Sequence, residues 1–253
     1  MTICYFTASG NCLYVARRIG GTLLSIPQLM RREKIEIEDN AVGIVCPVYA
    51  VELPFMIVDF MKKADIKTDY FFFILTCGYG YEVSLGHAEV ATRDRGWDLK
   101  YGNGVLMVDN YQPFFDMDEE IRKLPGKDVE GQLDKICADI QARKEQRVML
   151  TPELKAQMEH YHKNHAPNVI NKNMALDYIV NGDCIRCGIC AKVCPANNIA
   201  VTEDGIRFSD HCEVCYACLH NCPKKAIHLP VEKADARFRN EHVTLMDIVK
   251  SNE

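Results

Sequence analysis

Eight of the thirteen cysteines in this 253-residue chain fall between residues 184 and 222, in two arrays with one spacing. The first is Cys184-x-x-Cys187-x-x-Cys190-x-x-x-Cys194-Pro195, and the second is Cys212-x-x-Cys215-x-x-Cys218-x-x-x-Cys222-Pro223. Each cysteine and proline of the second lies 28 residues after its counterpart, as Ile227 does after Ile199, so the module is an internal duplication. Two-residue spacers let three thiolates wrap one corner of a cubane cluster, with backbone N–H groups directed at the sulfurs. The proline turns the fourth cysteine away from that corner. A four-cysteine zinc site uses separated Cys-x-x-Cys pairs. A thioredoxin-like motif is a single pair. A radical-SAM site needs a Cys-x-x-x-Cys-x-x-Cys triplet, which this chain lacks. The arrays therefore point to two [4Fe–4S] clusters.

Over residues 183–230 the module resembles a bacterial-type two-cluster ferredoxin. In such proteins the fourth cysteine of each array ligates the other cluster. The resemblance implies that Cys184, Cys187, Cys190 and Cys222 hold one cluster and Cys212, Cys215, Cys218 and Cys194 the other. His211, His220 and His228 are then surface or supporting residues. So small a module buries little apolar surface, so cluster assembly is expected to supply much of its folding free energy.

The rest of the chain reads differently. Residues 1–148 alternate β-rich runs with helical patterns. Strands are expected at Ile3–Thr7, near Leu23–Ile26, and at Val42–Cys46, Phe71–Thr76 and Val105–Asp109. Helices are expected at Cys12–Leu23, Leu53–Lys63, Leu85–Arg95 and Asp128–Arg143. Val15, Ile19 and Leu23 recur on one helical face, and the continuous apolar run at Phe71 suits a strand buried on both sides. Alternation of this kind predicts an α/β fold with a doubly wound parallel sheet and helices on both faces. Residues 149–182 form a helical connector, capped at Thr151-Pro152 and ending in an Asn-, Pro- and Lys-rich linker. Residues 231–253 read as a charged C-terminal tail with a short helix near Thr244–Lys250.

The first strand runs directly into Thr7-Ala8-Ser9-Gly10-Asn11-Cys12, where a helix begins. Hydroxyls and free N–H groups at a helix N-terminus suit an anion, and Gly10 lets the backbone approach it. The loop carries no lysine, unlike the loop of nucleoside triphosphatases, and Gly78-Tyr79-Gly80 is no dinucleotide fingerprint. Ligands of such sheets bind at the carboxyl ends of the strands. Two further loops fall there: Pro47-Val48-Tyr49, continuing to Leu53-Pro54, and Cys77-Gly78-Tyr79-Gly80-Tyr81.

The loop at Thr7 resembles the phosphate loop of flavodoxins, with Cys12 standing where a hydroxyl is usual. Gly10-Asn11-Cys12-Leu13-Tyr14, Pro47-Val48-Tyr49, Thr76-Cys77-Gly78 and Val108-Asp109-Asn110-Tyr111, followed by the cysteine arrays, resemble the flavodoxin–ferredoxin fusion proteins of anaerobic bacteria. The C-terminal Arg237-Phe238-Arg239-Asn240 with Val243-Thr244-Leu245 fits the same family. The resemblance implies a flavodoxin-like domain that binds FMN beside a small α+β ferredoxin domain. It implies that Thr7, Ser9, Gly10, Asn11 and Cys12 hold the phosphate. Pro47, Val48, Tyr49, Cys77, Gly78, Tyr79, Gly80 and Tyr81 would then border the ring, with the three tyrosines as stacking candidates.

Joining FMN to two clusters couples two-electron to one-electron chemistry. The expected function is electron transfer to or from a redox partner protein such as a reductase or dehydrogenase. No acid–base or nucleophile set stands out to carry catalysis. Two other readings stay open: a flavin-dependent reductase acting directly on a small substrate, and a flavin-free ferredoxin with a flavodoxin-like docking domain. The formal charge of −5 lacks the footprint of a nucleic-acid binder. The most apolar run, Tyr70–Cys77, is far short of the about 20 residues that span a membrane. The start of the chain carries no signal-peptide pattern, so a cytoplasmic protein is expected. Clusters at about −2 each and a flavin phosphate would make the protein more anionic, which predicts basic partner surfaces. His160, His162 and His165 read as a solvated helix end, and Asp116, Asp118, Glu119 and Glu120 as a solvated acidic run.

Overall fold

The computed structural model describes residues 1–253. Its first half holds seven strands: β1 (Thr2–Tyr5), β2 (Thr22–Ser25), β3 (Ile35–Glu38), β4 (Val42–Pro47), β5 (Ala64–Lys67), β6 (Phe71–Cys77) and β7 (Leu99–Leu106). Five of them form a parallel sheet in the order β2-β1-β4-β6-β7, and β3 and β5 pair in a separate parallel ladder. The helices of this half are α1 (Asn11–Ile19), α2 (Ile26–Met30), α3 (Phe55–Lys63), α4 (Glu82–Asp94), α5 (Met117–Lys123) and α6 (Val129–Gln141). Helices α1 and α6 pack together against the sheet, as do α3 and α4. The central β6 is buried from Phe71 to Thr76. Its Phe72 ring fits because its neighbour on β4 is Gly43, where a Cβ would lie 2.0 Å from the ring.

Elements β3, β5, α2 and α5 add to the sequence expectation, and two expected elements have other bounds. Helix α1 stops at Ile19, and Leu23 belongs to β2 instead. Gly20 and Gly21 take φ of 86° and 95°, which break the helix and turn the chain into the sheet. The last strand runs over Leu99–Leu106, not Val105–Asp109. Its Gly102, Asn103 and Gly104 hid it. The buried Asn103 is satisfied by donating to Tyr101 Oη at 2.8 Å and accepting from Tyr81 Oη at 3.1 Å.

The connector forms α7 (Pro152–Asn164), capped by Thr151, whose hydroxyl accepts from Leu154 N at 3.2 Å, and the short α8 (Ala166–Val169). The cysteine module follows with β8 (Ile179–Val180), α9 (Ile189–Lys192), β9 (Ile199–Thr202), β10 (Gly205–Phe208), α10 (Ala217–His220) and β11 (Ile227–His228). The duplication persists in three dimensions. Ile199 pairs with Phe208 and Ile227 with Val180, two antiparallel pairs offset by the same 28 residues. Left-handed backbone recurs at Arg186 and Val214, at Gly188 and Tyr216, and at Asn197 and Lys225.

The charged C-terminal segment packs several of its residues into the fold. Phe238, Asn240 and Val243 are buried, and α11 (Leu245–Asn252) buries Ile248 and Val249. A capping box between Thr244 and Asp247 starts this helix, and Tyr5 Oη lies 2.9 Å from Ser251 Oγ. Charged residues alternate with the buried ones here, which is why the stretch reads as polar. Val243, Ile248 and Val249, with Val193, Cys215 and Ala217 of the cysteine module, join the apolar core of the sheet half.

Candidate iron–sulfur and cofactor sites

The left-handed residues Arg186 and Val214 curl each array after its first cysteine. Gly188 and Tyr216 then start α9 and α10, which carry Cys190 and Cys218. The result is two small cavities. Cys184, Cys187, Cys190 and Cys222 line the first, and Cys194, Cys212, Cys215 and Cys218 line the second. The structure thus groups three cysteines of each array with the last cysteine of the other. Backbone N–H groups reach the sulfurs: Val214 N to Cys212 Sγ at 3.2 Å, Asn198 N to Cys194 Sγ at 3.2 Å, and Ala226 N to Cys222 Sγ at 3.3 Å. Burial, and then the neighbouring thiols, push Cys190 up to about 11. The same causes push Cys212 up to about 11 and hold Cys215 and Cys218 well above the usual thiol range. Metal-free, these thiols keep their protons, so ligation must displace them. Four converging sulfurs are a soft donor set that suits iron–sulfur clusters.

The cavities differ in setting. Cys187 of the first is exposed. The second is walled by Tyr178, Phe208 and Tyr216, with Cys215 and Cys218 buried.

At the carboxyl end of the sheet a small polar cavity opens into a cleft of about 580 Å³. The small cavity is lined by Thr7, Ser9, Asn11, Cys12, Pro47 and Thr76 among others. Val48, Tyr49, Cys77, Gly78, Asp109 and Asn110 border both spaces. Tyr79 and Gly80 line the cleft alone. The Thr7 hydroxyl is buried without a hydrogen-bond partner. Ser9 Oγ accepts from Asn110 Nδ2 at 2.7 Å, and Asn11 Nδ2 donates to the Val108 carbonyl at 3.2 Å. Cys12 Sγ lies 3.1 Å from Thr76 Oγ1, and burial pushes its thiol up to about 12.

Two of the expected residues stand elsewhere. Gly10, at φ 103°, borders neither space. A Cβ there would lie 2.9 Å from Val243 Cβ and 3.0 Å from Asn240 Cβ, so its bareness admits the C-terminal segment. Tyr81 packs over Gly104, where a Cβ would meet its ring at 2.2 Å, and it does not line the cleft.

Other cleft residues went unmarked as site residues. Asp109, Asn110 and Tyr111 lay in a motif already visible in the sequence. His165, read as part of a solvated helix end, lines the cleft wall together with Tyr161. Tyr216 sits inside the second array and borders both the cleft and the second cysteine cavity. Glu120 is not solvated either. It is buried, with Lys123 Nζ at 2.6 Å and Tyr79 Oη at 3.1 Å. Lys127 donates to the Gly78 and Met107 carbonyls at 2.8 and 2.6 Å, holding the loop below the cleft. No helix is long and apolar enough to cross a membrane.

A parallel α/β sheet joined to a duplicated module that gathers its cysteines in fours defines an iron–sulfur protein. The 4Fe-4S binding domain family matches residues 177–200. Over 71 residues the chain is 39% identical to the polyferredoxin protein MvhB of Methanothermus fervidus, which is 28% of this chain but 15% of that protein. Over 75 residues it is 33% identical to an uncharacterized ferredoxin of Methanocaldococcus jannaschii, which is 27% of this chain and 97% of that protein. Through this segment the chain belongs to the 4Fe-4S ferredoxins, and iron–sulfur electron transfer of the ferredoxin type is the class of function of that segment.

Proposed function

We propose that the chain is an electron-transfer protein carrying two [4Fe–4S] clusters and one FMN, exchanging electrons with a partner redox protein. The first cluster is assigned to Cys184, Cys187, Cys190 and Cys222, and the second to Cys194, Cys212, Cys215 and Cys218. The single observation that carries the reading is Tyr216, which borders both the cleft and the second cysteine cavity. A redox group in the cleft and a cluster in that cavity would be neighbours.

The residues present fit FMN. Without β3 and β5, the sheet order is the 2-1-3-4-5 of flavodoxin-like folds, whose ligand lies at the switch between β1 and the next strand inward. The unpartnered Thr7 hydroxyl and the first N–H groups of α1 face the requirements of a phosphate. The first turn of α1 holds no acidic residue to oppose the anion. The Thr76 hydroxyl beside Cys12 supplies the donor that Cys12 lacks. Tyr49, Tyr79 and Tyr111 line the cleft in which the ring would lie. Bound FMN would supply a centre that takes up electrons in pairs or singly, while each cluster moves one.

Titration of the anaerobic iron-loaded protein with FMN and with riboflavin, followed by flavin fluorescence, tests the site. FMN should bind at least about 100-fold more tightly than riboflavin, because the phosphate contacts are charge-assisted. Thr7→Val should weaken FMN about tenfold and leave riboflavin unchanged. Equal binding of the two flavins, or of neither, would overturn the FMN reading.

Direct reduction of a small substrate is a second reading with one observation in its favour. Tyr161 of α7, His165 between the helices and Val169 of α8 line the cleft, so the connector forms part of its wall. Turnover of a small acceptor by the reduced protein, with no second protein present, would favour it.

A further inference from the structure

The first cysteine cavity, open to solvent, is bordered by cations. Arg186 and Lys224 are among its lining residues, and no carboxylate is. Neither cation is neutralised by an ion pair: Arg186 donates to the Glu203 carbonyl at 2.7 Å, and both side chains are exposed. Charges farther out are balanced, with Lys225 3.4 Å from Asp235 and Arg207 2.9 Å from Asp204. Asp183 and Glu203 are exposed but outside the lining. An apolar contact is also present, since Ile185 beside exposed Cys187 is 60% exposed. Glu213, by contrast, lines the second cavity, which is turned toward the sheet half and bonds to it through Met56 N at 2.9 Å.

The overall charge of −5 argues for a basic partner. The mouth argues the reverse. Charges beyond a Debye length of about 8 Å are screened, so a docked partner senses mainly the groups at the mouth. A small apolar centre flanked by two cations without ion-pair partners complements an acidic rim.

We propose that this mouth is the electron-exchange face of the molecule and that it docks a redox protein bearing carboxylates around its own centre. The proposal rests on the reading of the cavity as a cluster site. The step is the transfer of one electron from the reduced cluster to the partner's oxidised centre, with no bond made or broken.

The test uses the full-length iron-loaded protein, reduced with dithionite and freed of excess reductant. Two acceptors serve as probes: the soluble haem domain of cytochrome b5, acidic around its haem edge, and cytochrome c, basic around its own. Reduction of cytochrome b5 should slow as salt rises. Arg186→Glu with Lys224→Glu should slow it roughly tenfold and speed reduction of cytochrome c. Lys34→Glu with Lys67→Glu changes the net charge equally at exposed positions beside and on the β3–β5 ladder, and should leave the cytochrome b5 rate within about twofold. If the remote pair slows cytochrome b5 as much as the mouth pair, or the mouth pair changes neither rate, the proposal fails. Iron content and EPR are read on every variant. If charge reversal costs iron, Arg186→Gln with Lys224→Gln carries the comparison. A wild-type protein that binds no iron contradicts the cluster reading instead.

Discussion

At the scale of single residues, the crossing of the two arrays is the sharpest feature. Cys194 stands four residues after Cys190, yet the cavity it lines holds Cys212, Cys215 and Cys218. Its sulfur accepts from Asn198 N, a bond that stabilises a thiolate and sets its orientation. Cys194→Ala should therefore remove the cluster of the distant array and spare the adjacent one. Iron should fall by about half, and the remaining EPR signal should be that of the cluster on Cys184, Cys187, Cys190 and Cys222. Loss of that signal, with the other kept, would refute the pairing. The spacing of these cysteines was legible because ligation of one cluster corner is a local matter. Tyr216 was not legible as a site residue. Nothing in a sequence distinguishes an aromatic that fills a core from one that separates two cavities.

At the scale of elements, packing decides what pattern alone leaves open. Helix α7 lies on α4, where Gly86 leaves room for Met158 Sδ. His87 of α4 is half-buried in this contact, 3.4 Å from Glu52, with the His162 ring 6.4 Å away. Burial, then the charge of His162, pushes His87 down to about 4. The unfolded imidazole titrates near 6.5, so the unfolded chain binds more protons between these values. The stability that His87 contributes is present above about pH 6.5 and is lost as pH falls toward 4. Burial raises the Glu52 carboxyl, which acts in the opposite sense, so the comparison must be made at His87 itself. Hydrogen exchange in α7, corrected for intrinsic rates, should accelerate from pH 7 to pH 5 and do so less in His87→Gln. Identical profiles would remove the role assigned to His87. The five-stranded sheet was legible where apolar runs are long, as at Phe71–Thr76. It was obscured at β7, whose glycines and Asn103 are buried by satisfied hydrogen bonds and by Tyr81. The C-terminal α11 was legible as a helix but not as a strap, because only a few of its residues face the core.

At the scale of the whole molecule, the C-terminal segment ties the cysteine module back to the sheet. Asn240 N donates to the Ser9 carbonyl at 2.8 Å, and its side chain reaches Asn11 at 3.1 Å. The cleft, the second cysteine cavity and the exposed first cavity follow one another outward. In the proposed account this order is the path of the electron, from a sheltered flavin to a solvent-facing cluster. The formal charge suggested an evenly anionic carrier, but Arg186 and Lys224 give the outer end the opposite local sign. Anaerobic purification followed by iron, sulfide and flavin quantitation tests the central claim most directly. The account predicts about eight irons, about eight sulfides and one FMN per chain. The same iron and sulfide with no flavin, even after FMN is added, would contradict it and leave a ferredoxin with a flavin-free sheet domain.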